Sequence, residues 1–175
     1  MFDHVRDMKS IVDMIGFFGP ILLFFTTCIR LFYTPRYLWT YLLVFSTSAG
    51  LNHRLKDWIR EKRPDGGVSI IGEDYTNHHH YGMPSSHAQS VFSTLTYSFL
   101  ALRSVGWLLF DLSIAALTPI QRFSYRQHSL KQLFVGSVIG AGFATLMYGI
   151  LQFWVFHNLA WDPMQYFRSR SSGQA

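Results

Sequence analysis

Long apolar segments alternate with short polar ones along the chain, and the apolar segments have the length of membrane-spanning helices. No Asp, Glu, Lys or Arg occurs in residues 14–29, 37–53 or 132–161. A helix needs about 20 predominantly apolar residues to cross a bilayer. The pattern predicts five helices, over residues 11–33, 37–61, 84–103, 106–121 and 129–156. The predicted fold is therefore all-α, an integral membrane helical bundle with about five transmembrane helices.

Breaks in the pattern refine this prediction. Pro20 predicts a kink in the first helix, and Asp111 and Pro119 predict that the fourth helix is short and interrupted. The segment RPDGG at residues 63–67 ends the second helix, because Pro disfavours helix at the residue before it and Gly continues the break. We expect one membrane domain over residues 1–161 and a polar, disordered tail over residues 162–175.

The composition excludes two classes of protein. Charged residues make up 14% of the chain, whereas average globular proteins contain about 25%. Aromatic residues make up 17%, which excludes a disordered chain. The single cysteine, Cys28, excludes a disulfide scaffold. The aromatic residues of the first helix are expected to contact lipid, namely Phe17, Phe18, Phe24 and Phe25.

The cations of the chain, whose formal net charge is +5, are clustered. One cluster contains Arg54, Lys56, Arg60, Lys62 and Arg63, and the other contains Arg122, Arg126 and Lys131. In a soluble protein this charge would suggest nucleic acid as a partner. Here apolar segments flank both clusters, and no binding platform with interleaved aromatic residues accompanies them. We therefore expect no nucleic-acid partner, and we expect anionic phosphate at a membrane surface.

Five crossings would bring three polar segments, residues 50–62, 84–87 and 122–132, to one face of the membrane. A direct count of Lys and Arg would make this face cytoplasmic. If the cations of this face bind phosphate, they say nothing about orientation and should be left out of the count. The opposite face is then cytosolic by the positive-inside rule, from Arg30, Arg36, Arg103, Arg168 and Arg170. On this argument the polar face is lumenal or periplasmic.

Lys56 and Arg63 are seven residues apart, which is close to two helical turns, so both side chains project from one helix face. Neighbouring cations repel each other, and an anion held between them relieves that repulsion. Arg offers a bidentate fork to phosphate oxygens, and Lys offers a point charge. Taken alone, the pair is better explained as a solvated basic stretch attracted to anionic lipid headgroups.

Pro84, Ser85, Ser86 and His87 follow a glycine and open the third helix, where Pro is favoured. Free backbone N–H groups and the helix dipole make a helix start an anion site, and the two hydroxyl groups add donors. His87 lies in the first turn, where it can deliver a proton to a leaving oxygen. The alternative is a plain Ser/Pro cap with a histidine at the membrane interface.

Arg122 and His128 lie six residues apart across the junction between the fourth and fifth helices. Gln132 follows His128 at the i+4 position and so shares a helix face with it. This arrangement suits a nucleophilic imidazole whose ring is oriented by Gln132. A histidine at a helix start beside other polar residues is an equally good explanation when the segment is considered alone.

Together and in order, Lys56-x6-Arg63-Pro64, Pro84-Ser85-x-His87 and Arg122-x5-His128 resemble the type 2 phosphatidic acid phosphatase superfamily. The resemblance covers residues 50–140 and implies a helical membrane phosphatase that needs no metal cofactor. It implies that His128 is the nucleophile, forming a phosphohistidine, and that His87 is the general acid. The residues that match phosphate-binding positions are Lys56, Arg63, Ser85, Ser86 and Arg122.

Two positions depart from the general pattern, since the superfamily usually has Gly at Ser86 and Asp at Gln132. A Gln carbonyl accepts the same hydrogen bond as Asp but carries no charge. The segments 63–67, 81–87 (YGMPSSH) and Tyr125-x2-His128-x3-Gln132, with Asn52, resemble dolichyldiphosphatases, in which these departures are usual. That resemblance implies a polyprenyl diphosphate substrate, dolichyl diphosphate, in the endoplasmic reticulum. Two alternatives stay open, namely another lipid phosphate (undecaprenyl diphosphate or phosphatidic acid) and a catalytically silent lipid-phosphate binder.

Two further patterns lie outside this constellation. His78, His79 and His80 suggest a metal site, but adjacent residues cannot all face one ion and no nearby Cys completes a zinc set. We therefore expect a polar loop that helps to shape the substrate entrance. Gly136-x3-Gly140 predicts close helix packing, either within one protomer or between two, and the sequence leaves the oligomeric state open.

Overall fold

The computed structural model describes residues 10–68 and 81–156. In these ranges the chain forms five helices and no strand, which confirms the predicted all-α class and helix count. They are α1 (Ile11–Leu31), α2 (Pro35–Ile59), α3 (Ser86–Leu102), α4 (Val105–Ser124) and α5 (Leu130–Leu151). A π-helical turn, Gln152–Phe156, continues α5. The three consecutive histidines and the tail at residues 162–175 lie outside the described residues.

Serine caps begin four of the five helices. The Ser129 hydroxyl accepts from the Gln132 backbone N–H, while the Gln132 side chain accepts from the Ser129 N–H, which is a capping box. The other three caps are Ser10, Ser85 and Ser104. Each cap satisfies a backbone donor that the helix itself leaves without a partner. The third helix therefore begins after Ser85 and not at Pro84.

The second helix ends earlier than its sequence predicts. Arg60 takes a left-handed conformation with a φ of 53° and closes α2 by donating its backbone N–H to the Lys56 carbonyl. Because this cap precedes Pro64, the segment 63–67 does not end the helix. It turns instead at Gly66, with a φ of 73°, and the Val68 N–H donates to the Tyr125 carbonyl at 3.0 Å.

The expected interruption of the fourth helix is wrong, since α4 runs unbroken through Asp111 and Pro119. Asp111 is fully buried and accepts from Arg30 Nη2 at 2.9 Å and Nη1 at 3.1 Å. The Arg30 guanidinium also lies 4.8 Å from the centre of the Trp107 ring. An ionised side chain is tolerated among apolar helices when it is paired in this way. Arg30 is therefore neutralised, and it no longer supports the orientation argument from exposed cations.

Helix α3 contacts all four of the other helices. Its close approach to α5 depends on glycine, because a Cβ at Gly136 would lie 2.7 Å from the Ser85 carbonyl oxygen. A Cβ at Gly140 would likewise overlap the backbone of Gln89. The glycine pattern therefore packs within the protomer. The central position of α3 brings its first turn, with His87, beside α1 and α5.

Two helices, Ile11–Leu31 and Leu130–Trp154, are long and apolar enough to cross a membrane among the described residues. Only 22% of each apolar window is buried inside the bundle. Outward-facing apolar side chains also occur on α2 and α4, among them Trp39, Leu43, Leu109 and Ile120. Large exposed apolar surfaces are unusual in soluble monomers and fit contact with lipid. Helix α1 continues through Pro20.

Candidate active site

His128 lies between α4 and α5 and is 2% exposed. Its Nδ1 lies 2.9 Å from the Gly82 carbonyl oxygen and 3.2 Å from Gln132 Oε1. Both oxygens are acceptors, so Nδ1 carries the proton and Nε2 keeps its lone pair. Nε2 is therefore the nitrogen that is free to form a bond to phosphorus. Gln132 orients the ring as expected from the sequence, but the closer acceptor is a backbone carbonyl that no side-chain pattern indicated.

Both polar atoms of the Gln132 side chain make two hydrogen bonds, and these bonds determine which end of the amide faces His128. Oε1 accepts from the Ser129 backbone N–H at 3.3 Å. Nε2 donates to the Lys62 carbonyl at 2.8 Å and to Glu61 Oε1 at 3.1 Å. Only this orientation gives the amide nitrogen two acceptors and the amide oxygen two donors.

Arg63 reaches His128 from the segment after α2, so the prediction that Lys56 and Arg63 project from one helix face is wrong. Its Nη1 lies 3.3 Å from His128 Nε2 and donates to the Gln127 carbonyl at 3.1 Å and to Gln127 Oε1 at 3.3 Å. Gln127 is 1% exposed, and its amide nitrogen donates in turn to the Val68 carbonyl. Gln127 therefore positions Arg63. Gln127 was not predicted as a site residue, because a glutamine in a loop carries no sequence pattern of its own.

Two more cations of the predicted set are buried near the imidazole, with Lys56 8% and Arg122 1% exposed. Burial, and then the positive charges of Arg63, Arg122 and Lys56, lower the pKa of His128 far below its usual value. The ring is therefore neutral at physiological pH, as a nucleophile must be. Three cations that act on one imidazole also provide the charge that a phosphate requires.

His87 lies in the first turn of α3, and the same three cations act on it electrostatically. The Phe17 ring of α1 lies 5.9 Å from the His87 ring, and the Arg122 guanidinium lies 5.4 Å from the centre of the Phe17 ring. Phe17 is therefore packed between two site residues, where a cation–π contact with Arg122 is favourable. The expectation of lipid contact is therefore incomplete for Phe17, which also lies against the site.

The two serines at the start of α3 are tied to other parts of the bundle. Ser85 is buried, its hydroxyl accepts from the Ala88 N–H at 3.5 Å, and its own N–H donates to the Gln132 carbonyl at 3.2 Å. The Ser86 hydroxyl donates to Asn52 Oδ1 at 2.6 Å. The Ser86 proton is thus directed away from an anion, and the backbone N–H groups at the helix start are the better donors.

The structure brings together residues from all three predicted segments. Arg63 and Gln132 contact His128, while Lys56 and Arg122 act on both imidazoles. The catalytic and phosphate-binding roles of these residues stay predictions. In residues 10–68 and 81–156, no three His, Cys, Asp or Glu side chains are grouped to hold a metal ion, and metal independence also stays a prediction.

A cavity of about 780 Å³ opens beside His128. Its lining combines apolar side chains such as Phe123 and Leu130 with charged ones such as Arg126. Phe123 and Leu130 are 49% and 65% exposed, so the cavity continues into an apolar outer surface. Of the predicted site residues, all of which the structure describes, His128 alone lines this cavity. An opening with exposed apolar side chains beside a buried histidine suits the apolar tail of a ligand whose head lies at the imidazole.

Comparison with known proteins covers the whole candidate site. Residues 37–156 match the family model described as the PAP2 superfamily. Among curated proteins, Dolichyldiphosphatase 1 of Dictyostelium discoideum is 30% identical over 142 residues. This match covers 70% of the chain and 58% of the relative, so the chain spans less than two thirds of that protein's length. No solved structure matches the chain.

Proposed function

The chain belongs to the PAP2 superfamily, and we propose that it hydrolyses the terminal phosphate of a polyprenyl diphosphate. The preferred substrate is dolichyl diphosphate, and the products are dolichyl phosphate and inorganic phosphate. Similarity to a protein named dolichyldiphosphatase supports this substrate class. The cavity beside His128, with its apolar opening, supports a lipid tail as part of the substrate.

One observation carries the proposal, namely the protonation of His128. Nδ1–H donates to Gly82 and Gln132, and Nε2 accepts from Arg63. When phosphate binds, the Arg63 N–H donates to a phosphate oxygen instead of to His128 Nε2, because a charge-assisted hydrogen bond to phosphate is the stronger of the two. The same movement exposes the Nε2 lone pair to phosphorus. Lys56, Arg122 and the first N–H groups of α3 hold the remaining oxygens.

In the first step Nε2 of His128 forms a bond to the terminal phosphorus, and the bond from phosphorus to the bridging oxygen breaks. Burial and the same three cations disfavour a charged His87, and the negative charge of the bound diphosphate offsets those cations, so that His87 is protonated in the complex. His87 donates this proton to the bridging oxygen, and dolichyl phosphate leaves. The imidazole becomes positively charged while Nδ1–H still donates to Gly82 and Gln132. Phosphoryl transfer depends mainly on positioning and charge stabilisation, and the three cations supply the charge.

In the second step a water molecule attacks phosphorus, and His87 accepts its proton. The N–P bond breaks, inorganic phosphate leaves, and the electron pair returns to Nε2 of His128. The proton taken from water returns His87 to the protonated state in which it began the turnover, so no exchange with solvent is needed. Both histidines end in their starting states, so the cycle balances without a cofactor.

The test is phosphate release from dolichyl diphosphate by the detergent-purified chain with a chelator present. We expect release from the wild type, and a loss of at least about 10³-fold in His128→Ala, since removing a nucleophile removes the pathway. His53→Ala is the matched control, because His53 is exposed on α2. Activity above a few per cent of wild type in His128→Ala would contradict the nucleophile assignment.

A panel of lipid phosphates separates the remaining possibilities. Release from undecaprenyl diphosphate or phosphatidic acid, but not from dolichyl diphosphate, would keep the chemistry and change the substrate. Tight vanadate binding without turnover of any lipid would indicate a silent binder. The hydrogen bond from His128 Nδ1 to Gln132 Oε1 favours the enzyme, because the amide performs the orienting role without a carboxylate.

For location, we propose the endoplasmic reticulum membrane with the site on the lumenal face. With Arg30 paired to Asp111, the orientation depends on Arg36, Arg103 and the cations of the C-terminal tail. Accessibility of a single cysteine placed at Tyr33, which is exposed between α1 and α2, tests it. Labelling of Tyr33→Cys in Cys28→Ser chains from the cytosolic side supports the proposal, and labelling only from the lumen overturns it.

A further inference from the structure

Glu61 lies directly behind the amide that orients His128. Its Oε1 accepts from Gln132 Nε2 at 3.1 Å, and its Oε2 accepts from Lys131 Nζ at 2.8 Å. The Glu61 side chain is 31% exposed and that of Lys131 is 68% exposed. The Lys131 and Gln132 hydrogen bonds hold the pKa of Glu61 below its usual value, so the carboxylate is charged at neutral pH.

The hydrogen bonds form a chain of three side chains in one direction. His128 Nδ1–H donates to Gln132 Oε1, and Gln132 Nε2–H donates to Glu61 Oε1. From these contacts we infer that Glu61 is a positioning residue that stabilises the cationic, phosphorylated imidazole of His128 through Gln132. The inference rests on the proposed function and adds to it the source of negative charge.

The physical reason is that the charge on His128 changes during the reaction. The ring is neutral before attack and cationic once Nε2 bonds to phosphorus, while the three cations beside it oppose that change. Gln132 has no charge, but its dipole is aligned by the carboxylate at its far end, and hydrogen bonds in a chain polarise one another. Glu61 is the carboxylate that this chain connects to the ring.

The expected effect is larger in the transition state than in the bound substrate. The charge of Glu61 acts on the ring across one amide and two hydrogen bonds of 3.2 Å and 3.1 Å. At an effective dielectric constant of about 20, with partial screening by Lys131, it accounts for about a five- to tenfold change in rate. Glu61→Gln keeps an oxygen acceptor for Gln132 and removes the charge. We expect kcat and kcat/KM to fall together by this factor with KM unchanged, as for an interaction made only in the transition state.

Two control variants separate charge from structure. Asp57→Asn removes the same charge from an exposed position on α2, four residues before Glu61, and we expect its kcat to match that of the wild type. Lys131→Gln breaks the Glu61–Lys131 bridge but removes the opposing charge, and we expect kcat to rise about twofold. If the bridge merely holds the segment in place, Lys131→Gln lowers kcat as much as Glu61→Gln does, and the inference is overturned.

A double variant separates the role of Glu61 through Gln132 from a general loss of folding, because the effect of Glu61→Gln is compared in two backgrounds. Gln132→Asp puts a carboxylate beside Nδ1, and this carboxylate faces Glu61 without the amide hydrogen that joined them. In that background Glu61→Gln relieves repulsion between two carboxylates, so we expect it to leave kcat unchanged or to raise it. A five- to tenfold loss in both backgrounds would overturn the role through Gln132.

These measurements use the purified full chain with dolichyl diphosphate. If the wild type releases no phosphate from any lipid in the panel, the proposed function fails. If the wild type is active, His128→Ala is inactive and Glu61→Gln has wild-type kcat, only the inference about Glu61 fails.

Discussion

Replacing Gly82 with Ala perturbs the candidate site at its tightest backbone contact. A Cβ added to Gly82 would lie 2.7 Å from Gln132 Nε2 and 2.8 Å from Gln132 Cδ, and closer still to Oε1. Real Cβ contacts are not this short, so the Gln132 amide must move. The Gly82 backbone is itself fixed, because its N–H donates to the Glu61 carbonyl at 2.8 Å and its carbonyl accepts from His128.

The cost follows from the contacts of the displaced amide. Gln132 is 1% exposed and interacts with His128, Ser129, Glu61 and Lys62. A buried polar group left without a partner costs about 1–3 kcal/mol. With partial relaxation, we expect Gly82→Ala to lose about 2–4 kcal/mol of stability. Misplacing the group that orients His128, the proposed nucleophile, should lower kcat by about 10²–10³-fold.

The assay is kcat for lipid phosphate hydrolysis, together with the melting temperature in detergent. Gly142→Ala is the matched control, because nothing lies within 4 Å of a Cβ added at Gly142, and it should retain wild-type kcat. The pair Gly82→Ala and Gln132→Ala is the decisive comparison. If the clash with Gln132 is the cause, the double variant is no slower than Gln132→Ala alone. A kcat for Gly82→Ala within threefold of the wild type would refute the reasoning.

Three further predictions concern the bundle as a whole. Gly140→Ala should lower the melting temperature sharply, because its Cβ would lie 3.0 Å from the backbone carbon of Gln89, whereas an equal loss in Gly142→Ala would refute the α3–α5 contact as the cause. Asp111→Asn should cost about 3–5 kcal/mol by leaving Arg30 buried without its charge partner, and Arg30→Met with Asp111→Leu should recover most of that loss; a double variant as unstable as the single one would contradict this. The pKa of His128 is lowered in the folded state but stays near 6.5 in the unfolded chain. Below pH 6.5 the unfolded state therefore binds a proton that the folded state does not. The free energy of unfolding should fall by up to about 1.4 kcal/mol per pH unit from pH 6.5 towards pH 5. His128→Gln should lose this part of the slope, and melting curves at pH 7 and pH 5 that fall equally in both proteins would disprove it.

The helices and the segments that carry the site residues could be predicted from the sequence. Apolar length located five helices and placed their starts within two residues of those in the structure. Spacing placed Gln132 one turn after His128, but it did not place Arg63, which lies beyond the end of α2 at Ile59. These features depend on neighbours a few residues apart, whose geometry is set by the helix itself.

Only the tertiary structure decided the contacts between distant segments. The Gly82 carbonyl is 46 residues from His128, Gln127 is 64 residues from Arg63, and Asp111 is 81 residues from Arg30. Nothing in the local sequence around Asp111 marks it as paired, so it read as a helix interruption.

The sequence by itself thus determined which segments are helical and which residue types are able to bind and transfer a phosphate. The tertiary structure determined the protonated nitrogen of His128, the alignment of Gln132 with Glu61, and the packing of Phe17 against Arg122. The physical reason is that a backbone carbonyl, a glutamine amide and an aromatic ring carry no directional signal along the chain. Their roles depend on distance and orientation, which exist only once the helices have packed.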